Sequence, residues 1–223
     1  MNLAGADFRA QVEAAAMSPA DGTLGSRFVA PLVTWLVADA GAGDELGDAL
    51  AGTMRALERV GVLRGRQFVL LGGDPVAGGA PERARALRAL LGVPVIVHHP
   101  ERHGFVAGEL PDGTPLELDD ELREAEAIVS VGGGSPWARA TVVVPGACVA
   151  RTRVAFEATR AEAGRAAAWA FLRAAERLAP IDLAVAWDPN GRVWSASGSH
   201  ALAAFELADA AEPSVLAPRP SGP

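Results

Sequence analysis

The 223-residue sequence contains no lysine, so all 20 of its basic residues are arginine. Lysine forms the Schiff base of many covalent enzymes and binds phosphate in P-loop nucleotide sites. Both classes of site are therefore excluded. A GC-rich genome, whose codons favour alanine, arginine, glycine and proline, is the simplest explanation of the bias, and tyrosine is absent as well.

Cysteine is almost as scarce, because Cys148 is the only one. A single thiol excludes a disulfide framework and a cysteine-based zinc site, and it favours a reducing compartment. The N-terminal segment MNLAGADFRAQVEAAAM carries acidic side chains and lacks the apolar core of a secretory signal. No apolar stretch reaches the length of about 18 residues that indicates a membrane-spanning helix. We therefore expect a cytoplasmic protein with no membrane partner.

The sequence has fewer basic than acidic residues, and its formal net charge is −7. This balance argues against a nucleic-acid partner, because phosphate contacts require a basic face. The hydrophobic fraction of 50% is enough for a sizeable core. A small anionic ligand, a protein partner and a homo-oligomer all stay compatible with the composition.

Apolar runs of strand length alternate with amphipathic helical patterns from about residue 44 to residue 178. Runs that are apolar throughout indicate strands buried on both faces, as in a parallel sheet. The alternation indicates βαβ units with right-handed crossovers. The turn Asp188-Pro189-Asn190-Gly191 indicates a hairpin between the last two strands. The predicted fold class is therefore α/β, with a mostly parallel Rossmann-like sheet flanked by helices and a C-terminal β-hairpin.

The predicted helices cover residues 6–17, 28–38, 44–60, 81–91, 119–126, 152–178 and 200–210. The predicted strands cover residues 67–71, 93–98, 127–131, 141–144, 182–187 and 192–195. The helix at 28–38 follows from an apolar run with Pro31, since proline fits the first turn of a buried helix better than a central strand. Residues 99–113 are predicted to be a loop. We expect one domain over residues 1–210 and a flexible proline-rich tail over residues 211–223.

Ligands of open α/β sheets bind beyond the carboxyl ends of the strands. Glycines at such ends let backbone amides approach an anion, and an arginine can clamp a carboxylate. The candidate ligand-binding residues are Gly72, Gly73, Gly132, Gly133, Gly134, Ser135 and Arg139. The candidate catalytic residues are Asp74, His98 and His99. Turn formation, capping or an ordinary structural role is the simpler alternative for each of them, and adjacent strand histidines point to opposite faces, so we predict no metal site.

Three segments carry a resemblance through their order and spacing. They are VIVHHPERHGFVAGELPDGTPLELDDELREAEAIVSVGG (95–133), RATVVVPGACVARTRVAFE (139–157) and IDLAVAWDPNGRVWSASGSHALAAFELAD (181–209). Together they resemble the N-terminal domain of the nickel-pincer-nucleotide lactate racemase family, and the likeness extends more loosely to residue 50. The resemblance implies a domain of that type and, for an intact member, an isomerase with a nickel-pincer nucleotide cofactor.

The resemblance also implies a lysine that tethers the cofactor and two histidines that pass the proton. The sequence GGDP at 72–75 stands where the family has a Gly-x-His-Arg motif with the first histidine. The loop of the second histidine is shortened to GGGSPWARA, which keeps an arginine at Arg139, and the lysine position falls near Ala140 or Thr141.

Because all three chemical groups are missing, we predict a lactate racemase-like domain without the nickel-pincer reaction and without a bound cofactor. Such a domain is a pseudoenzyme that binds a small anion or completes a partner subunit. The alternative is a racemase- or epimerase-like enzyme that acts on a small hydroxy acid through Asp74, His98 and Arg139.

Overall fold

The computed structural model describes residues 5–20, 24–26, 28, 32–72, 79–133, 146–198 and 201–210. Its helices are α1 (Gly5–Met17), α2 (Leu46–Arg59), α3 (Ala80–Leu91), α4 (Ala150–Leu178) and α5 (Leu202–Ala210). Its strands are β1 (Thr34–Asp39), β2 (Gln67–Gly72), β3 (Val95–Val97), β4 (Gly104–Glu109), β5 (Pro115–Asp119), β6 (Ala127–Gly132), β7 (Leu183–Trp187) and β8 (Val193–Ser197). The predicted strand at 141–144 and the predicted tail at 211–223 lie outside the described residues.

Six strands form one sheet in the order β3-β2-β1-β6-β7-β8. The first five are parallel, and β8 pairs antiparallel with β7 as the C-terminal hairpin. The predicted α/β fold class with a mostly parallel sheet is confirmed. When the separate β4–β5 hairpin is set aside, this is the Rossmann strand order, in which the direction of winding reverses between β1 and β6.

Strand β1 occupies the centre of the sheet, where a helix over residues 28–38 had been predicted. That prediction is wrong. The side chains from Thr34 to Ala38 are all buried, and β1 pairs with β2 on one side and β6 on the other. A continuous apolar run has no periodicity that separates a strand buried on both faces from a buried helix. In the sequence, Pro31 stands three residues before Thr34, the first residue of the strand.

The predicted loop at 99–113 is also wrong, because it contains strand β4. This strand pairs antiparallel with β5 and forms a two-stranded sheet of its own. The turn between them closes through the amide of Leu110, which donates to the carbonyl of Thr114 at 2.8 Å, and Gly113 has a φ of 81°. Strand β4 contains two glycines and only half-buried or exposed side chains, so its sequence carries little strand signal.

Each face of the main sheet carries its own hydrophobic core. Helices α1, α2 and α3 cover one face, and α4, α5 and the β4–β5 hairpin cover the other. In β1, Leu36 and Ala38 point into the first core, whereas Trp35 and Val37 point into the second. Asp39 lies two residues after Val37 on the strand. Its side chain therefore points to the same face of the sheet, the one that α4 covers.

Helix α4 is not the single straight helix predicted for residues 152–178. Gly164 has φ 80° and ψ −171°, which breaks the helix. In a straight helix Phe156 and Phe171 would lie roughly 22 Å apart along the axis, because each residue advances it by about 1.5 Å. Their ring centroids are 5.5 Å apart. The two arms, 150–163 and 165–178, therefore fold back on each other.

Contacts at the two ends of α4 agree with this helical hairpin. Val149, which precedes the first arm, packs against Gly104, and Leu178, which ends the second arm, packs against Gly108. Both glycines belong to β4, so the two ends of α4 lie on one short strand. Residues 161–166 at the tip are all exposed. In the part of the chain that the structure describes, no helix is long and apolar enough to cross a membrane.

Replacement of the turn glycine tests the hairpin. The conformation of Gly164 belongs to a region adopted almost only by glycine, where another residue costs about 1–3 kcal/mol. A Cβ at Gly164 meets no atom within 4 Å, so backbone strain alone sets the cost. We expect Gly164→Ala to lower the free energy of unfolding, measured in urea, by about 1–3 kcal/mol.

Gly65→Ala is the matched control, because a Cβ at Gly65 also meets no atom within 4 Å and its φ is not positive. We expect this control to change the free energy of unfolding by less than about 0.5 kcal/mol. Equal stabilities of the two variants would contradict the helical hairpin.

Candidate functional site

The switch point between β1 and β6 is the place where a sheet of this topology binds ligands. Strand β1 ends there at Asp39 and strand β6 at Gly132. Gly132 is one of the predicted ligand-binding residues, whereas Asp39 is missed because β1 was taken for a helix. The pattern that could have revealed it is an apolar run followed by Asp39-Ala40-Gly41, which parallels the run before Gly72.

The carboxylate of Asp39 is half-buried at this strand end. Its Oδ1 accepts a hydrogen bond of 2.7 Å from the amide of Gly41. Burial raises the pKa of Asp39, and the Gly41 hydrogen bond and the charges of Arg83 and Arg153 offset this effect only in part. A carboxyl group with a raised pKa in such a position is a physical indication of a functional site.

Ser130 adds a polar group on the same face of the sheet. It lies opposite Val37 in the β1–β6 register, and its side chain is fully buried. Its hydroxyl oxygen has no hydrogen-bond partner among the described residues. From the strand spacing and rise, the Cα atoms of Ser130 and Asp39 lie about 8 Å apart. A buried hydroxyl without a partner is costly, so a ligand or water that bonds to it would be stabilised.

Arg153 supplies positive charge to the same corner. It lies in the first turn of α4, donates a hydrogen bond of 3.3 Å to the carbonyl of Gly146, and acts electrostatically on Asp39. A guanidinium carries five donors, so it can bond to a carboxylate while it keeps its bond to the protein. We call Asp39, Ser130, Gly132 and Arg153 the switch-point corner.

His98, a candidate catalytic residue, is buried at the end of β3. Its Nδ1 lies 2.5 Å from Oδ2 of Asp119, and its Nε2 lies 2.8 Å from the carbonyl oxygen of Cys148. A carbonyl oxygen only accepts, so Nε2 carries a proton. Both ring nitrogens are therefore occupied by protein groups. In this conformation His98 connects β3, β5 and the segment before α4, and it has no nitrogen left to bond a ligand.

The charge of Asp119 supports the same interpretation. Burial tends to raise its pKa, but the hydrogen bonds from His98 and from the amide of Glu121 outweigh this effect. The charges of His98 and Arg102 add to the lowering, and the net pKa of Asp119 lies below the usual aspartate value. An ionised Asp119 accepts a hydrogen bond from Nδ1 of His98.

The other described histidines and the cysteine are weaker candidates for a functional role. His99 is half-buried beside His98, and His103 is exposed. Cys148 is fully buried, and burial raises the pKa of its thiol far above the usual value, so it is not a reactive thiolate. Across the described ranges, no group of three or more His, Cys, Asp or Glu side chains is arranged to hold a metal ion.

Two predicted ligand-binding glycines face protein atoms. A Cβ at Gly72 would lie 2.7 Å from the carbonyl oxygen of Gly146, and one at Gly133 would lie 1.8 Å from the indole of Trp187. Close packing by itself accounts for glycine at both positions. The remaining candidates, for which the structure gives no description, are Gly73, Asp74, Gly134, Ser135 and Arg139.

The fold is similar to that of the lactate racemase apoprotein from Thermoanaerobacterium thermosaccharolyticum. The TM-score is 0.69 at 14% sequence identity, and the match covers 90% of this chain and 54% of that chain. This chain has a lactate racemase-like fold. It spans about half the length of the protein it matches. No protein-family model and no curated protein matches the sequence, so the relationship is a distant one of structure.

A nickel-pincer nucleotide, which the resemblance in sequence implies, does not fit this lactate racemase-like chain. The covalent tether requires a lysine, and the sequence has none. His98, the buried histidine of the described site, has both nitrogens occupied by Asp119 and Cys148.

Removal of the Asp119 charge tests the buried pair. Because the pKa of Asp119 is lower in the folded chain than in the unfolded one, its stabilisation is complete above about pH 4 and is lost as the pH falls through the folded value. We expect Asp119→Asn to lower the free energy of unfolding at pH 7 by about 2 kcal/mol. We also expect the variant to lose less stability than the wild type between pH 5 and pH 2, in denaturant titrations at each pH.

Asp120→Asn is the control on the neighbouring residue. Asp120 is 61% exposed and pairs with Arg123 at the surface, so its removal should cost less than about 0.5 kcal/mol. If Asp119→Asn and Asp120→Asn lost the same free energy of unfolding between pH 5 and pH 2, the ion pair of His98 and Asp119 would not be a source of stability.

Proposed function

We propose that this chain binds a small hydroxy acid of the lactate class at the switch-point corner and does not racemise it through a nickel-pincer cofactor. The observation that carries the proposal is the half-buried carboxylate of Asp39 at the strand reversal, on which the charge of Arg153 acts. The similar fold of a lactate racemase apoprotein supports this choice of ligand class.

The chemistry of the corner matches the two ends of a hydroxy acid. A guanidinium pairs with a carboxylate through charge-assisted hydrogen bonds, so Arg153 is the group for the acid end. A carboxyl group exchanges hydrogen bonds with a hydroxyl, so Asp39 is the group for the alcohol end. The hydroxyl of Ser130, which has no hydrogen-bond partner among the described residues, can form a further hydrogen bond to the ligand from the buried face of β6.

The absence of racemisation follows from the groups that such a reaction needs. Inversion at a hydroxylated carbon by hydride transfer requires a hydride acceptor and a group that takes the hydroxyl proton, both in reach of the substrate. The sequence has no lysine to hold the family cofactor, and the ring of His98 is bonded on both nitrogens. We therefore interpret the chain as a binding protein built on an enzyme scaffold.

Titration with lactate tests the binding proposal. We expect L-lactate or D-lactate to produce saturable shifts in the amide NMR spectrum at residues of the switch-point corner. Propionate, which lacks the hydroxyl, should bind at least about fivefold more weakly, as the loss of one hydrogen bond of about 1 kcal/mol implies. Asp39→Asn and Arg153→Met should each weaken lactate binding about tenfold or more.

Asp44→Asn is the matched control, because Asp44 is exposed in the same β1–α2 loop. It should bind lactate as the wild type does. Circular dichroism of each variant shows whether the fold is intact. The proposal is wrong if neither enantiomer of lactate shifts the corner residues, or if Asp44→Asn loses binding as much as Asp39→Asn.

A separate experiment tests the proposal that the chain does not racemise lactate through a nickel-pincer cofactor. We expect mass spectrometry of the purified protein to find less than stoichiometric nickel, and chiral chromatography to find no conversion between the enantiomers of lactate. A sample expressed together with the cellular machinery for nickel cofactors should give the same result. Stoichiometric nickel or measurable turnover would overturn it.

A further inference from the structure

The loop between β1 and α2 is bound by a single arginine from α3. One nitrogen of the Arg83 guanidinium, Nη1, donates to the carbonyl oxygens of both Ala40 and Ala42. The other terminal nitrogen, Nη2, donates to the carbonyl oxygen of Gly43 at 3.1 Å. Three carbonyl groups of the loop that follows Asp39 therefore accept hydrogen bonds from one cation.

This arrangement suits arginine in particular. The guanidinium presents five donors in a fixed plane, so it can satisfy several carbonyl groups that point in different directions. The side chains of Ala40 and Ala42 are buried at 2% and 1% exposure, which places their carbonyl groups close to the protein interior. Without the guanidinium, these carbonyl groups would have to find water at a partly covered position.

Two further bonds connect Asp39 to the same loop, and a third connects the loop to the end of β2. The Gly41 amide donates to Oδ1 of Asp39 at 2.7 Å, and the Ala42 amide donates to the Asp39 carbonyl at 3.1 Å. The Ala40 amide donates to the carbonyl of Gly72 at 3.0 Å. A movement of the loop would therefore move the Asp39 carboxylate.

We propose that Arg83 is a positioning residue that holds the Asp39 carboxylate in its binding orientation through the carbonyl groups of Ala40, Ala42 and Gly43. The inference rests on the proposed function for its ligand, but the mechanical link between Arg83 and Asp39 holds for any ligand of the corner. Arg83 itself bonds to backbone carbonyl groups and is not a contact of the ligand.

A purely structural role for Arg83 predicts something different. If Arg83 served only to attach α3 to the sheet, its loss would lower the global stability and change Asp39 only through the lost charge, without local opening of the loop. If Arg83 positions Asp39, its loss changes both the local opening of the loop and the titration of one carboxylate. Among the described residues, the cations whose charges act on Asp39 are Arg83 and Arg153.

The experiment compares Arg83→Met, Arg83→Lys and the control Arg85→Met in the full chain. Arg85 lies two residues along the same helix, its side chain is 72% exposed, and it pairs with Glu82 at the surface. Lysine keeps the charge but offers a single ammonium instead of a planar fork. It also keeps the inference testable if the methionine variant does not fold.

The first readout is amide hydrogen exchange of Ala40, Gly41 and Ala42 without ligand. We expect Arg83→Met to exchange about tenfold faster at these amides, as the loss of about 1.4 kcal/mol of local hydrogen bonding implies. Arg83→Lys should lie between Arg83→Met and the wild type, and Arg85→Met should equal the wild type. Wild-type exchange rates in both Arg83 variants would overturn the inference.

The second readout is the titration of the Asp39 carboxyl carbon by NMR. Loss of the neighbouring cation should move its midpoint upward in Arg83→Met, leave it nearly unchanged in Arg83→Lys, and leave it unchanged in Arg85→Met. An unchanged midpoint in Arg83→Met would show a role in stability alone and would also overturn the inference.

Lactate affinity is the third readout and separates this inference from the proposed function. We expect Arg83→Met to bind lactate about tenfold more weakly, with Arg83→Lys partly restored. If the wild type binds no lactate, the proposed ligand is wrong, and the exchange and titration data still decide the role of Arg83. Wild-type affinity in Arg83→Met, with lactate binding confirmed, would overturn the positioning role.

Discussion

The pairing of β1 with β2 on one side and β6 on the other is the constraint on which the rest of the structure depends. This strand is buried on both faces, and its side chains enter both hydrophobic cores. Its register with β6 places Val37 opposite Ser130 and so brings Asp39 to the strand reversal. A shift by one residue would turn Asp39 to the α1 side and remove it from Arg153, because side chains alternate between the faces of a sheet.

The second organising interaction is the buried bond network of His98. Through Asp119 and the carbonyl of Cys148 it connects β3, β5 and the segment that leads into α4. In that segment Gly146 packs against Gly72. Its carbonyl also accepts a hydrogen bond from Arg153 of the switch-point corner. His98, a candidate catalytic residue in the sequence, thus connects structural elements beside the switch-point corner. Residues that orient a site are often as necessary as those that contact the ligand.

The likeness of fold to a lactate racemase apoprotein does not by itself determine an activity for this chain. Strand order and helix packing depend on hydrophobic patterning that many sequences satisfy, as the 14% identity illustrates. Catalysis depends on a few side chains that a single substitution removes. The sequence has no lysine, and Asp39, Ser130 and Arg153 lie around the switch point of the sheet.

From the sequence alone one could determine the α/β class, the parallel sheet, the C-terminal hairpin and the missing lysine, because these depend on local periodicity and composition. Only the tertiary structure showed that residues 34–39 form the central strand, since burial on both faces erases periodicity. Likewise, the packing of Phe156 on Phe171 showed that α4 folds back at Gly164. Asp39, Arg83 and Arg153 are far apart in the sequence and come together only in the fold. Their proximity depends on how strands and helices pack, and no local pattern in the chain encodes it.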